Sequence, residues 1–312
     1  MNQPQRRNYR PKLPGEARWA ISTCSTRSMI ALPRGLRSAM NKIAPDRLWL
    51  LLPVGLLYGL LAVLPIGLIV RFSFDNGAEH YDEVLQSPLL LRAAENTVVI
   101  SLITTIVALL LGYVLAAGLW RANKRQRNFL LAFILLPFWT AVLVKNFAWA
   151  SLLQDNGPIN NVLQALGITS APVTLLHDRL AVIIGMVHYV LPYAVFPIYT
   201  SMRSIDQRVE HAARSLGATP PQVIWHIILP LTLPGITGAG LLVFIVSCGF
   251  FITPVILGAP SDMMVANLVD YYVHTVVDFG SAAALAIIIL LAVLPLIVLQ
   301  QLMPRESMHG RA

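Results

Sequence analysis

Six apolar stretches, each free of Asp, Glu, Lys and Arg, divide the chain: Leu48–Val70, Asn96–Trp120, Asn128–Val144, Leu180–Met202, Ser215–Ser261 and Phe279–Pro304. Most exceed the roughly 20 residues that a helix needs to cross the hydrocarbon core of a bilayer. The Asn128 run is short of that length, and we extend it through Lys145 to Leu153. The Ser215 run is too long for one crossing, so its first third is read as a short helix and only the part from Thr232 as a span. The pattern predicts an all-α membrane protein of six transmembrane helices, at 48–71, 97–119, 129–153, 180–202, 232–257 and 279–303.

Between the fourth and fifth spans lies a segment with its own period, Glu210 to Pro234, EHAARSLGATPPQVIWHIILPLTLP. Asp206 is placed to cap a helix whose Val209, Ala212, Ala213 and Leu216 share one face at i, i+3, i+4 and i+7. Gly217 ends it, since a glycine takes the left-handed conformation that closes a helix C-terminus. Thr219-Pro220-Pro221-Gln222 restarts a helix at once, with Thr219 as N-cap, Pro220 at the first helical position and Gln222 completing a capping box. The expected element is helix, sharp turn, helix over 204–230.

Charge orients this bundle. Ten of the 23 basic residues fall in the first 47 positions against Glu16 and Asp46, and the loop Arg121–Arg127 adds four with no acid. The loops of opposite parity, Phe72–Asn96 and Gly258–Asp278, are acidic or neutral. Lysine and arginine concentrate on the cytoplasmic side, so both termini and the Glu210 segment are expected inside. The net charge of +8 then follows from this bias and from anionic headgroups, without nucleic acid. A 56% hydrophobic and 12% charged composition agrees with an integral membrane protein. Residues 1–45 read as a disordered basic cytoplasmic tail touching the inner leaflet, 46–304 as the transmembrane domain and 305–312 as a short cytoplasmic tail. Cys24 and Cys248 are too far apart in context for a disulfide or metal framework.

The chain carries no phosphate loop, no H-E-x-x-H and no nucleophile elbow, so no catalytic, cofactor or metal site is expected and any ATP is handled by another polypeptide. The histidines His80, His177, His188, His211, His226, His274 and His309 fall at no ligand spacing, and each reads as solvated or hydrogen-bonded.

The run Ala212-Ala213, Gly217, Ile227-x-Leu229-Pro230 resembles the cytoplasmic signature loop of type I ATP-binding-cassette importer permeases, the binding-protein-dependent permeases. In that family the loop reads E-A-A, three residues, G, nine residues, I-x-L-P, and the spacing here fits without a gap. One position departs: the family's glutamate aligns with His211, and Glu210 stands one place early. Asn156-Gly157-Pro158-Ile159-Asn160 and Gly249-Phe250-Phe251-Ile252-Thr253-Pro254 look like the spermidine/putrescine branch, and the likeness covers residues 45–303. The resemblance implies an inner-membrane permease without ATPase activity. Its implied partners are a pair of ATPases, a second permease subunit and an extracytoplasmic binding protein, with lipid around them. It makes Glu210, His211, Ala212, Ala213, Gly217, Ile227, Leu229 and Pro230 the contact to the ATPase. The branch implies a polyamine of the spermidine/putrescine kind as the solute, with opines, phosphonates, amino-acid-like solutes or ferric ions, which relatives of these permeases carry, as the alternatives.

A substrate path is harder to read. Lys145 is the one charged residue well inside a predicted span, and intramembrane charge is costly enough to mark function, although a lysine there also snorkels to the interface. Asn146, Trp149, Asp155, His188, Tyr189, Tyr193, Ser247 and Thr253 are the polar and aromatic residues available beside it. Two other classes compete. A secondary transporter predicts paired inverted repeats or broken helices, which the sequence does not display; a membrane enzyme predicts convergent ionisable residues, which Lys145 alone does not supply.

Overall fold

The computed structural model describes the backbone of residues 45–302, and the tails expected over 1–45 and 305–312 lie almost wholly outside the described residues, Cys24 included. The chain divides into two compact units between Leu61 and Ala62, inside the first helix, α1 (Pro45–Ser73). Every regular element among the described residues is helical. After α1 come α2 (Glu79–Gln86), α3 (Pro88–Arg121), α4 (Lys124–Trp139), α5 (Val142–Leu153), α6 (Pro158–Ala165) and α7 (Arg179–Ser204). The second half holds α8 (Gln207–Ser215), α9 (Pro220–Val223), α10 (Leu229–Cys248), α11 (Ile252–Leu257), α12 (Val265–Tyr271) and α13 (Phe279–Leu302).

Among the described residues, five helical stretches are long and apolar enough to cross a membrane: Pro53–Ser73, Pro88–Arg121, Arg179–Ser204, Pro220–Cys248 and Phe279–Gln301. A further pair of helices, Lys124–Trp139 and Val142–Ala165, is apolar enough to cross only if taken together, and it is bent by 98°. The span expected at 129–153 thus falls on two helices with a break between them. Apolar sequence runs through the bend, but Thr140 is extended, with ψ 141°, and its hydroxyl donates to the Pro137 carbonyl at 2.7 Å. The Pro137 carbonyl, which a continuing helix would offer to residue 141, is taken by the Thr140 N–H and hydroxyl, and the chain turns there. A broken helix is thus present where none was visible, so this criterion no longer separates a secondary transporter from an importer subunit.

The fifth span also differs from expectation. It does not start afresh at Thr232: α9 runs into α10 through a π-turn, Ile224–Ile228, in which the Leu229 N–H reaches back to the Ile224 carbonyl. The wide turn gives the Pro230 ring room against the preceding carbonyls. At its far end the span stops at Cys248 rather than 257, and Ile252–Leu257 forms the separate α11.

The core of the second unit is built by α3, α7 and α10, brought together by small residues. Along α3 the buried positions Ala93, Thr97, Ile100, Ser101, Thr104, Ala108, Gly112 and Ala116 recur at three and four residues, while Leu102, Ile106, Leu110 and Val114 form an exposed opposite stripe suited to lipid. A Cβ on Gly112 would lie 2.9 Å from the Ala194 Cβ of α7, so the two backbones meet more closely than any larger residue permits. A Cβ on Gly235 of α10 would collide with Ser201 and press on the Pro197 carbonyl, which makes the α7–α10 contact equally close.

At one end of the bundle the loop before α12 is pinned by polar bonds. Arg179 at the start of α7 donates through Nε to Asp262 Oδ1 at 3.1 Å and through Nη2 to Asn96 Oδ1 at 2.8 Å. Asn96 Nδ2 in turn donates to the carbonyls of Ser261 and Met263, and the Val265 N–H donates to Thr97 Oγ1. Asp262 is 6% exposed, and its charge is tolerable there because the guanidinium meets it.

Candidate functional site

The first site is the segment after α7. Asp206 Oδ1 accepts from the Arg208 N–H at 2.9 Å and starts α8. The helix closes in a Schellman motif: Gly217 has φ +87°, its N–H donates to the Arg214 carbonyl at 3.0 Å, and the Ala218 N–H donates to the Ala213 carbonyl at 3.1 Å. Thr219 N–H then donates to Gln222 Oε1 at 2.8 Å, the half of the capping box that satisfies the N-cap backbone. Each of these devices uses residues only a few positions apart, which is why the local sequence specifies them.

The apolar face of α8 is left uncovered. Leu216 is 89% exposed, Val209 and Ala212 are exposed, and Ala213 is half-buried. Trp225, in the π-turn, is also exposed. Glu210 is taken by its own helix, its Oε1 accepting from Arg214 Nη2 at 2.6 Å, whereas His211 is exposed, with its carbonyl accepting from Ser215 Oγ. Ile227 and Leu229 are half-buried at the start of the continuous helix, and Pro230 is exposed beside them. The sequence-predicted residues thus fall into two groups: those of α8 on an open face, and Ile227, Leu229 and Pro230 on the root that carries this face into a span.

The second site lies where α5 packs on α7. Lys145 and Trp149, one turn apart on α5, face His188, Tyr189 and Tyr193 of α7. The Trp149 indole donates through Nε1 to His188 Nδ1 at 3.0 Å. The Lys145 Nζ lies 4.6 Å from the centre of the Tyr189 ring, over its face. Tyr193 stacks on Tyr189 at 6.1 Å, and Phe250 meets Tyr189 edge-on at 4.8 Å. Phe138, from the far side of the break, meets Tyr193 edge-on at 5.8 Å. Next to Lys145, Asn146 points to the other side and accepts from the Thr253 hydroxyl at 3.2 Å; its amide nitrogen has no partner. Gly185 makes that junction possible, since a Cβ there would sit 2.9 Å from Thr253 and 2.7 Å from Leu257.

Seven of the nine path candidates are therefore gathered: Lys145, Trp149, His188, Tyr189 and Tyr193 in one cluster, Asn146 and Thr253 in a pair beside it. Ser247 is buried in α10 with its hydroxyl unpartnered, and Asp155 stands apart, exposed beyond the end of α5. Sequence reasoning missed Phe250 and Phe138 as members, because an apolar ring inside an apolar run carries no signal of its own. It also missed a grouping of His80, Glu83 and Asp278, whose ligand-type atoms lie within 4.8 Å of one another across α2 and the start of α13. His80 and Glu83 are neighbours on one face of α2, but Asp278 is far from them in sequence, and spacing gives no hint that it joins them.

The site geometry is thus an uncovered short helix followed by a continuous helix long and apolar enough to cross a membrane. The family model for binding-protein-dependent transport system inner membrane components matches residues 108–307. The chain belongs to this family. As such it is a multi-pass inner-membrane permease, a transport subunit and not a catalytic enzyme, and its family works with binding proteins. It is 34% identical to the spermidine/putrescine transport system permease protein PotB of Haemophilus influenzae over 241 residues, 75% of this chain and 84% of that protein. It is 32% identical to PotB of Escherichia coli over 72% of this chain and 81% of that protein. Among solved structures, a bacterial alginate ABC transporter in complex with an alginate pentasaccharide-bound periplasmic protein shares the fold, with TM-score 0.69 and 18% identity over 86% of this permease and 97% of that chain.

Proposed function

We propose that this permease carries polyamines of the spermidine/putrescine class inward, as one of two membrane subunits of an ATP-driven importer. In this reading it has six crossings with both termini in the cytoplasm, the broken α4–α5 pair serving as the third. A loaded binding protein docks outside, and two ATPase subunits seat on the α8 face inside. Their closure moves Leu216 and Ala212, and the rigid path from α9 through the π-turn into α10 carries the movement to the core. The observation that carries the cargo assignment is the match along 84% of a spermidine/putrescine permease. The aromatic cluster supports it, because ring faces attract alkylammonium ions.

Lys145 favours a second reading, an anionic or zwitterionic cargo, since it brings a positive charge to the same cluster. Uptake of radiolabelled putrescine, spermidine and an anionic competitor by the transporter reconstituted with its neighbouring ATPase, second permease and binding protein decides between them. Uptake of putrescine unaffected by the anion supports the polyamine reading. Absence of any polyamine uptake refutes it. Reporter fusions after Arg127 and after Ala218 test the orientation: both are expected in the cytoplasm, with fusions at Asp82 and Asp262 outside.

A further inference from the structure

The contact between Lys145 and Tyr189 has a chemical peculiarity. A lysine side chain beyond its Cα is an n-butylammonium, a point charge on a flexible four-carbon stem. Putrescine is the same four-carbon chain with an ammonium at each end. The group on the Tyr189 ring thus has the full four-carbon chain and one of the two ammonium ends of putrescine, attached to the backbone.

The surroundings fit a cation receptor rather than an ion pair. Lys145 is half-buried and pairs with no carboxylate among the described residues, so its polar partner is the ring face at 4.6 Å. The Tyr189 ring is itself packed by the stacked Tyr193 and by Phe250 in a T-shaped contact. One turn along, the Trp149–His188 hydrogen bond fixes a second aromatic surface facing the same helix. A ring clamped in this way keeps its face presented whether or not Lys145 rests on it. Two ammonium ions do not share one ring face, because like charges at contact distance in a partly desolvated site repel strongly.

We propose that Lys145 is a tethered stand-in for the cargo: its ammonium fills the alkylammonium subsite on Tyr189 in the resting permease, and an incoming polyamine displaces it. The long stem lets the ammonium retreat toward the interface when displaced. With the lysine seated, free cations find the subsite occupied, and the resting path stays closed to them; cargo delivered at high local concentration by a binding protein competes successfully. The inference rests on the polyamine reading and adds to it a named subsite and its resting occupant.

The test uses the complete reconstituted transporter and radiolabelled putrescine. Direct putrescine binding to the assembled permease and ATPase subunits, measured without binding protein, is compared for wild type, Lys145→Met, Lys145→Arg, Tyr189→Phe, Tyr189→Leu and the double variant Lys145→Met/Tyr189→Leu. Removing the tethered cation while keeping its volume is expected to tighten putrescine binding about 10-fold, the scale of a partly desolvated cation–π contact. Lys145→Arg and Tyr189→Phe are expected to stay near wild type, since cation and ring face are retained. The gain from Lys145→Met is expected to vanish in the double variant, because the vacated subsite needs the ring. Lys145→Met binding no tighter than wild type, or a gain that survives Tyr189→Leu, overturns the inference. Wild-type putrescine uptake separates the two readings: its absence removes the cargo assignment and the inference together, whereas uptake with no effect of Lys145→Met removes the inference alone.

Discussion

The Arg214 guanidinium holds Glu210 Oε1 at 2.6 Å, one helical turn away on the same helix. The one carboxylate on α8 is therefore occupied, and the residue at the position where the family carries glutamate is the exposed His211. What remains presented is the small-residue face of Ala212 and Ala213 with Leu216 at its end. A partner recognising this helix meets shape before it meets charge. Ala212→Asp, which forces an unpaired charge into a close helix–groove contact, is expected to abolish co-purification of the ATPase with the permease. Glu210→Ala is expected to weaken it less than threefold, because it removes an intrahelical i, i+4 pair whose arginine is half exposed and whose net worth is small. Strong loss with Glu210→Ala and little with Ala212→Asp would reverse the order of the two contributions.

Gly217 sits at φ +87° with open space where a side chain would go, so the constraint is conformational and not steric. Gly217→Val asks a β-branched residue to adopt the left-handed region, which costs on the order of 1–2 kcal/mol locally. The bundle, which buries its residues elsewhere, is expected to fold and insert normally. The aim of α8 relative to α9 is expected to change, so that ATP hydrolysis by the assembled transporter falls away from solute uptake. Equal uptake per ATP in wild type and variant would show that this turn is only a linker.

How much of this was legible follows the range of each interaction. The α8 cap, the glycine turn and the Thr219–Gln222 restart were readable because every partner lies within five residues. The break at Thr140 was not, because hydropathy is continuous across it and Pro137 alone also fits an unbroken, kinked helix. The π-turn before Pro230 was likewise hidden, since the same apolar residues suit a fresh start at Thr232. For the path, residue type picked out Tyr189, Tyr193, Trp149 and His188, which helix geometry then brought together. Asp155 looked equally suitable, but the turn after α5 carries it away. Arg179 and Asp262 were invisible as a pair, being 83 residues apart.

That pair yields a prediction about stability. Arg179→Ala leaves the Asp262 carboxylate 6% exposed without its guanidinium and also removes a donor from Asn96 Oδ1. Breaking a fully buried pair costs several kcal/mol, but the Arg179 side chain is 42% exposed and water reaches it, which reduces the loss to about 1–2 kcal/mol. The thermal midpoint of the detergent-solubilised permease is expected to fall. Adding Asp262→Asn is expected to recover most of the loss, because the buried charge is then gone. A double variant no more stable than Arg179→Ala would mean that the loop is held by the Asn96 bonds alone.

The start of α13 supplies a pH-dependent contribution. Burial alone would raise the pKa of Asp278, but hydrogen bonds from the Ser281 side chain, the Ser281 and Gly280 N–H groups and the nearby His80 outweigh it and hold the carboxyl below its ordinary value. The bonds to Oδ1 are 3.0 Å from Gly280 and 3.1 Å from Ser281, which makes Asp278 the cap of the last span. A carboxyl whose pKa is lower in the folded state stabilises the fold above the ordinary carboxylate value near 4, and that contribution disappears as pH falls through the folded value. The thermal midpoint of the wild-type permease is therefore expected to drop between about pH 5 and pH 3. In Asp278→Asn, which keeps an accepting oxygen and caps about as well but does not titrate, the drop is expected to be shallower. Parallel pH profiles for the two proteins would assign the acid sensitivity to other carboxylates.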